Sequence, residues 1–193
     1  MAQGFFQSRF DKYAVQRSSG GIQRSGGFSI FISGLAEAPA ELQAAIMAAI
    51  PLGMEKIGLR GVPLVQDHTP VGATGNLFGG VFAEFHQDGP VMEEIIGVHP
   101  PADMYAGPVE LGTRPHFPPP SALLLWVQKK LGIEDEKKAL SVAFAISKTI
   151  ARRGTQGQHM FDQALDQLKL EAPGIMEREI AVAVEAAGFG GAI

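Results

Sequence analysis

The 193-residue chain contains no cysteine, and few of its residues are charged. The absence of cysteine excludes disulfide bonds, thiolate nucleophiles and cysteine-ligated zinc. Charged residues make up 19% of the chain, less than the roughly one quarter that is usual, which leaves apolar surface for neighbouring proteins. We find no run of eighteen apolar residues and no secretory signal, so we expect a protein made in a cytosol-like compartment without a membrane partner.

The charge balance argues against nucleic acid as the direct ligand of this protein. Its 16 lysines and arginines are outnumbered by 20 aspartates and glutamates, which gives a net charge of -4. Domains that bind duplexes normally carry a basic excess or a basic stripe. The basic pairs of this chain stand among acids, so we do not expect nucleic acid to bind the chain directly.

The first 27 residues differ in composition from the rest of the chain. They are polar and rich in glycine, and they predict a flexible arm whose aromatic anchors are Phe5, Phe6 and Phe10. Residues 28–193 form a single domain, which opens with a strand from Phe28 to Ser33. A helix follows from about Ala38 to Gly58, and Pro51 is expected to end or kink it.

The remaining pattern predicts one hairpin and then a helical half. Alternating residues from Leu77 to His86 and an apolar run from Val91 to Val98 flank Asp88-Gly89, which indicates a β-hairpin. Residues 99–120 carry seven prolines and are expected to be ordered mainly by packing. The helices predicted after them are Ser121–Gly132, Glu136–Arg153, Gln158–Leu170 and Ile175–Ala187. The fold class is therefore α+β, a small, mainly antiparallel sheet with a long N-terminal helix and a helical C-terminal half.

No group of residues in the sequence suggests a catalytic or metal site. The glycine-rich stretch Gly72–Gly79 lacks the lysine and the following helix that a phosphate loop needs. The five histidines show no metal-ligand spacing, although His86 and His99 could converge across the hairpin. Glu93-Glu94 is interpreted as a solvated strand edge. We predict no catalytic residue, no metal and no cofactor, and a small hydrolase stays only as a remote alternative.

Two blocks of sequence resemble the siphophage neck proteins, the head–tail connector or tail-completion family of tailed bacteriophages. The first is Pro70-Val-Gly-Ala-Thr74-Gly75-Asn-Leu77, similar to a Pro-x-x-Thr-Gly-x-Leu element that begins the hairpin of that family but one residue longer. The second is a Tyr-Ala-x-x-Val-Glu-x-Gly-Thr block, here Tyr105 to Thr113. A weaker likeness lies in Gly154-Thr155 and His159 to Leu165. This chain departs from the family by inserting two helices at about 119–152.

The resemblance implies a structural virion protein, not an enzyme. Copies would form a homo-oligomeric ring in the neck, at the head–tail junction, after assembly in the host cytoplasm. Six-fold symmetry is the first expectation and twelve-fold the alternative. The implied partners are a head-completion or stopper protein and the tail terminator or tail tube proteins, with DNA only in the lumen. A tail-terminator ring that caps the tail tube is the alternative within the same class.

The same resemblance selects the candidate site residues, and each has a structural role. Glu110 is a lone acid in an apolar segment, which Thr113 and Arg114 would satisfy locally or across a subunit boundary; the alternative is an ordinary exposed glutamate. Tyr105 is expected to offer a buried ring with a polar tip, in the core or at an interface. The remaining candidates set turns or pack beside these residues, and they are Thr74, Gly75, Leu77 and Gly112.

Overall fold

A computed structural model describes residues 6–9, 29–32, 35–89 and 91–190 of the chain. The elements are, in order, β1 (Phe6–Arg9), β2 (Ser29–Ile32), a 3-10 turn (Leu35–Glu37), α1 (Ala40–His68), α2 (Asn76–Gly79), β3 (Val81–Asp88), β4 (Val91–Val98), α3 (Asp103–Leu111), β5 (Gly112–Thr113), α4 (Pro120–Leu131), α5 (Glu136–Arg153), β6 (Thr155–Gln156) and α6 (Met160–Ala186). Within the described residues the strands form three antiparallel pairs, β1–β2, β3–β4 and β5–β6. The predicted α+β class, with a long N-terminal helix and a helical C-terminal half, is confirmed.

The strand predicted near Phe28 is present as β2. Its partner is β1, in a register that sets Phe6 opposite Ile32 and Arg9 opposite Ser29. Part of the segment predicted to be a flexible arm is therefore a paired strand. The anchors Phe5 and Phe10, and most of residues 1–27, lie outside the described residues.

Helix α1 is longer than the sequence predicted, because it continues through Pro51 and Pro63 to His68. A proline inside a helix costs about 3 kcal/mol, since it lacks an N–H and its ring crowds the preceding turn. Burial offsets this cost. The residues that α1 buries recur along its whole length and are Ile46, Ala49, Gly53, Ile57, Gly58, Gly61, Leu64 and Val65. At about 1.5–3 kcal/mol for each large side chain, their packing outweighs the two local defects.

By length and composition alone, α1 is long and apolar enough to cross a membrane. No such helix was predicted from the sequence. One such helix is weak evidence, because the central helix of a globular core passes the same test. In this fold the buried residues of α1 belong to the main core, together with residues of α6 and β3.

Helix α6 is the main partner of α1 and is likewise continuous where two helices were predicted. It runs through Pro173 and buries one residue at nearly every turn, namely Met160, Ala164, Leu168, Ala172, Met176, Ile180 and Val184. The two helices approach closely at Gly53, where an added Cβ would lie 2.6 Å from the sulfur of Met176. Arg60 donates two hydrogen bonds to Glu171, and this pairing, with a further bond from Gln167, lowers the pKa of Glu171 to about 2. A mainly apolar interface therefore has an ion pair at its edge.

The predicted β-hairpin is confirmed as β3 and β4, with Asp88 opposite Val91 and Val81 opposite Val98. It begins later than predicted, because residues 76–79 form the short helix α2 and Leu77 is buried there. The inner face of the hairpin packs on α1, where Ile96 lies against Gly61. The odd-numbered residues of β3 face this core, and Glu84, His86 and Asp88 point outward.

Residues 99–120 are more regular than their prolines suggested. Residues 103–111 form α3, with Pro108 inside it, and the two residues after it form β5. Helices α4 and α5 then pack mainly on each other around a separate small core of Val127, Ala139 and Ala143. The predicted bounds of α5 are confirmed, because the side chain of Asp135 caps its start and Gly154 follows its end.

Candidate functional site

Two of the sequence blocks that carry the resemblance meet in space. The block from Tyr105 to Thr113 forms α3 and β5, and residues 154–162 form β6 and the start of α6. Backbone N–H groups of Gln158 and His159 donate to the carbonyls of Val109 and Glu110, at 2.8 and 3.1 Å. We call residues 109–113 together with 154–162 the motif junction.

Glu110 is the central side chain of the motif junction. It is only 4% exposed, and its carboxylate accepts hydrogen bonds from the backbone N–H groups of Phe161 (2.9 Å) and Asp162 (3.2 Å). These groups belong to the first turn of α6, which has no partner within the helix for them. The residue at the helix N-cap, His159, has φ 53° and supplies no side-chain cap. Glu110 therefore caps α6 from a position about fifty residues earlier in the chain, and its negative charge faces the positive end of the helix dipole.

This geometry corrects the role predicted for Glu110. The carboxylate is satisfied by the α6 backbone rather than by Thr113 and Arg114. The hydroxyl of Thr113 instead lies 2.9 Å from the hydroxyl of Thr155 and accepts a hydrogen bond from the Thr155 N–H, at 3.2 Å. Arg114 is exposed and forms no salt bridge with other residues in the described part of the chain.

Glycines allow the two strands of the motif junction to come together. In the β5–β6 pair Gly112 lies opposite Gln156, and Thr113 lies opposite Thr155. Gly112 has φ 75° and ψ -177°, a region of backbone conformation that essentially only glycine occupies. A Cβ on Gly112 would collide with the carbonyl oxygen of Thr155, and one on Gly154 would collide with the carbonyl oxygen of Thr113. The Gly-Thr step is therefore required by backbone packing.

Tyr105 does not have the buried ring that the sequence predicted. It is 58% exposed, and so are its helix neighbours Met104 at 73% and Leu111 at 56%. Glu110 and Tyr105 lie five residues apart on α3, so they project from different sides of the helix. The exposed side of α3 carries these apolar side chains, which suits an interface better than a core.

The candidate residues of the first block lie in the segment that connects α1 to the hairpin. Gly75 has φ 72° and precedes α2, and an added Cβ there would meet open space. The hydroxyl of Thr74 accepts a weak hydrogen bond from the Asn76 N–H at 3.4 Å, and Thr74 itself is exposed. Leu77 is 9% exposed and packs in the main core. These residues shape a turn, and none of them presents a reactive group.

Glu94 is a residue whose environment the sequence reasoning misjudged. It lies opposite Phe85, on the inner face of the hairpin, and its carboxylate contacts Gly58 of α1. One carboxylate oxygen is buried without a hydrogen-bond partner among the described residues. Burial, helped by the charges of Glu55 and Glu84, raises the pKa of Glu94 to about 7. The hairpin register could have revealed this, because it places Glu94 beside inward-facing residues.

The histidines do not form the arrangement that the sequence suggested. His86 lies opposite Glu93 near the turn of the hairpin, whereas His99 follows its far end and stacks on Phe82 with ring centroids 4.1 Å apart. The two therefore do not converge.

One group of possible metal ligands is present, although no such pattern was visible in the sequence. Ligand atoms of Glu110, His159 and Asp162 lie within 4.8 Å of one another. Both Glu110 oxygens already accept backbone hydrogen bonds, and the start of α6 is the positive end of its dipole. Cation binding is disfavoured by this geometry.

Comparison with known proteins adds no relative: no protein-family model, no curated protein and no solved structure matches this chain. What can be said of its function therefore depends on its own residues and on the resemblance of its motifs.

Proposed function

We propose that this chain is a structural protein of a bacteriophage virion that forms a homo-oligomeric ring in the neck. The ring, of six copies or alternatively twelve, would join the head to the tail and surround the path of the DNA. Its neighbours would be a head-completion or stopper protein on one side and tail terminator or tail tube proteins on the other. The protein would act by assembly and would not be an enzyme.

The observation that supports this proposal is the structural role of the motif residues. The carboxylate of Glu110, the most reactive group of the block, is buried and occupied by two backbone N–H groups. The Gly-Thr step serves backbone pairing, and the exposed residues of α3 are apolar. A block of sequence that forms a tightly bonded junction beside an apolar surface favours a structural role over a catalytic one.

A tag on the protein in assembled particles tests its location. Negative-stain imaging with a bound antibody should place the tag at the head–tail junction. A tag on the capsid shell or at the tail tip would refute the proposal.

The phenotype of a null mutant distinguishes the connector from the tail terminator. A connector mutant should accumulate filled heads and separate tails of normal length. Tails of uncontrolled length would instead identify a ring that stops tube polymerisation, and normal infectious particles would refute both roles.

The N-terminal segment is proposed to latch onto a neighbouring ring. Deleting residues 1–20 should leave a folded chain, since the main core that the structure describes is formed by residues 35 onward. Assembly with this variant should yield heads and tails that fail to join. Full infectivity of the deletion would refute the latch and leave the ring proposal in place.

A further inference from the structure

Charge is distributed unevenly between two surfaces of this chain. Residues 120–153, which hold α4 and α5, contain seven lysines or arginines and three acids, a net charge of +4. The β-hairpin of residues 81–98 contains four acids and no lysine or arginine, a net charge of -4. Among the described residues, no base of α4 or α5 forms a salt bridge. The positive charge of this helical pair is therefore not neutralised by salt bridges within the described part of the chain.

The outer side of α5 combines these bases with apolar side chains. Lys137, Leu140, Phe144 and Lys148 recur at intervals of three or four residues, so they form one stripe along the helix, which we call the α5 stripe. Leu140 is 46% exposed and Phe144 45% exposed. The Lys148 ammonium lies 4.8 Å from the centre of the Phe144 ring, and Phe117 contacts that ring edge-on.

The outward face of the β-hairpin has the complementary character. Glu84 and Asp88 point away from the core on β3, and Glu93 lies opposite His86 on the same side. Val91, beside the turn, is 55% exposed. A basic partner on this face would be attracted by its acids.

We propose that the α5 stripe of one copy binds the outward face of the β3–β4 hairpin of a neighbouring copy. The two surfaces differ, so the contact is head-to-tail, and repeated contacts of this kind close into a ring. Opposite charges set the register of the contact, and the exposed leucine and phenylalanine supply apolar area at its centre. A second copy is favoured over DNA because apolar side chains alternate with the lysines of the stripe. The phosphates of DNA make no favourable contact with such side chains. The inference rests on the proposed ring for its biological setting, although the contact can be tested in purified protein.

Charge reversal on each surface, followed by mixing, is the decisive test. The stripe variant carries Lys137→Glu and Lys148→Glu, and the hairpin variant carries Glu84→Lys and Asp88→Lys. All four positions are exposed, so thermal unfolding should show that both variants fold. In low salt, sedimentation of the full-length protein should show self-association. Each variant alone should self-associate with an affinity lower by roughly tenfold or more. An equimolar mixture should recover the association, because both kinds of contact are then attractive between unlike copies.

Cysteine trapping provides a second measurement, since the chain has no thiol of its own. Ser141→Cys lies beside the α5 stripe and His86→Cys lies in the acidic face, and a mixture of the two should form disulfide-linked heterodimers. The matched control pairs Ser141→Cys with Ala181→Cys, an exposed position on α6. Equal yields from the two pairs would overturn the contact.

The other outcomes are equally clear. A wild-type protein that stays monomeric at its highest soluble concentration in low salt would overturn the proposal. So would variants that associate normally, or a stripe variant that loses binding to duplex DNA while its self-association is unchanged. If copies associate through these surfaces but the tagged protein is absent from the neck, the proposed function fails and the contact stands. If the protein is in the neck and the stripe variant assembles normally, only the contact fails.

Discussion

Replacing Glu110 with glutamine tests whether its buried carboxylate holds the start of α6. Glutamine keeps the size of the side chain but has one acceptor oxygen, so its NH₂ group faces one of the two N–H groups of Phe161 and Asp162. A buried donor left without a partner costs about 1–3 kcal/mol. Losing the negative charge at a helix N-terminus costs a further ~0.3–1 kcal/mol.

The expected loss for Glu110→Gln is thus about 1.3–4 kcal/mol in the free energy of unfolding. For a chain of this size each kcal/mol moves the midpoint of thermal unfolding by about 2–4 °C, so a decrease of about 3–16 °C is expected. Circular dichroism at neutral pH measures it. Hydrogen exchange adds a local measurement, because the amides of Phe161 and Asp162 should lose protection more than those in the middle of α6.

The matched control is Glu177→Gln, which removes the charge of an exposed glutamate on the same helix. It should change the free energy of unfolding by no more than about 0.5 kcal/mol. The reasoning is refuted if Glu110→Gln lowers the midpoint no more than this control does, with unchanged exchange at the two amides.

Three further perturbations address the hairpin, the motif junction and the exposed side of α3. Glu94 has a pKa of about 7, above the ~4.3 of an unfolded chain, so wild-type stability should fall as pH rises between these values. In urea unfolding, Glu94→Gln should raise the free energy of unfolding by about 1–2 kcal/mol at pH 8, a value reduced for the partial exposure of Glu94, and by almost nothing at pH 4. An unchanged pH profile would contradict this. Gly112→Ala should cost about 3 kcal/mol or more, whereas Gly132→Ala, at φ 66° in open space, should cost about 1–2; similar costs would argue against the close approach. Tyr105→Ala should leave the thermal midpoint within about 1–2 °C but reduce incorporation into particles, since its ring is exposed; a large loss of stability with normal assembly would show that the ring packs within the chain.

Local chemistry accounts for the elements that the sequence predicted well. The hairpin follows from alternation on both sides of Asp88-Gly89, and its existence was predicted even though its start was not. Helix α5 has its own signals at both ends, an aspartate that caps it and a glycine that follows it, and both bounds were predicted. These features depend on residues that are close together in the chain.

The errors about where helices are interrupted share one physical cause, which is that burial overrides local preference. Pro51 was expected to interrupt α1 and Pro173 lies inside α6, yet both helices are continuous because each buries apolar residues against the other along its length. Residues 103–111 form a helix in spite of Pro108. A proline marks a cost, and only the tertiary contacts determine whether that cost is offset.

The candidate site shows the same division. Its residues stood out in the sequence, but their roles depended on partners 42 to 52 residues away, such as the α6 amides for Glu110 and Thr155 for Thr113. The exposure of Tyr105 and the burial of Glu94 were likewise invisible without packing.

The sequence alone determined the fold class, the existence of the hairpin and the bounds of α5. These depend on residue type and short-range spacing, which a linear chain displays directly. Only the tertiary structure decided that α1 and α6 are unbroken, that Glu110 caps α6, and that a basic, apolar stripe on α5 lies exposed. Those outcomes require knowing which distant residues share a surface, because burial and hydrogen bonding act through space and not along the chain.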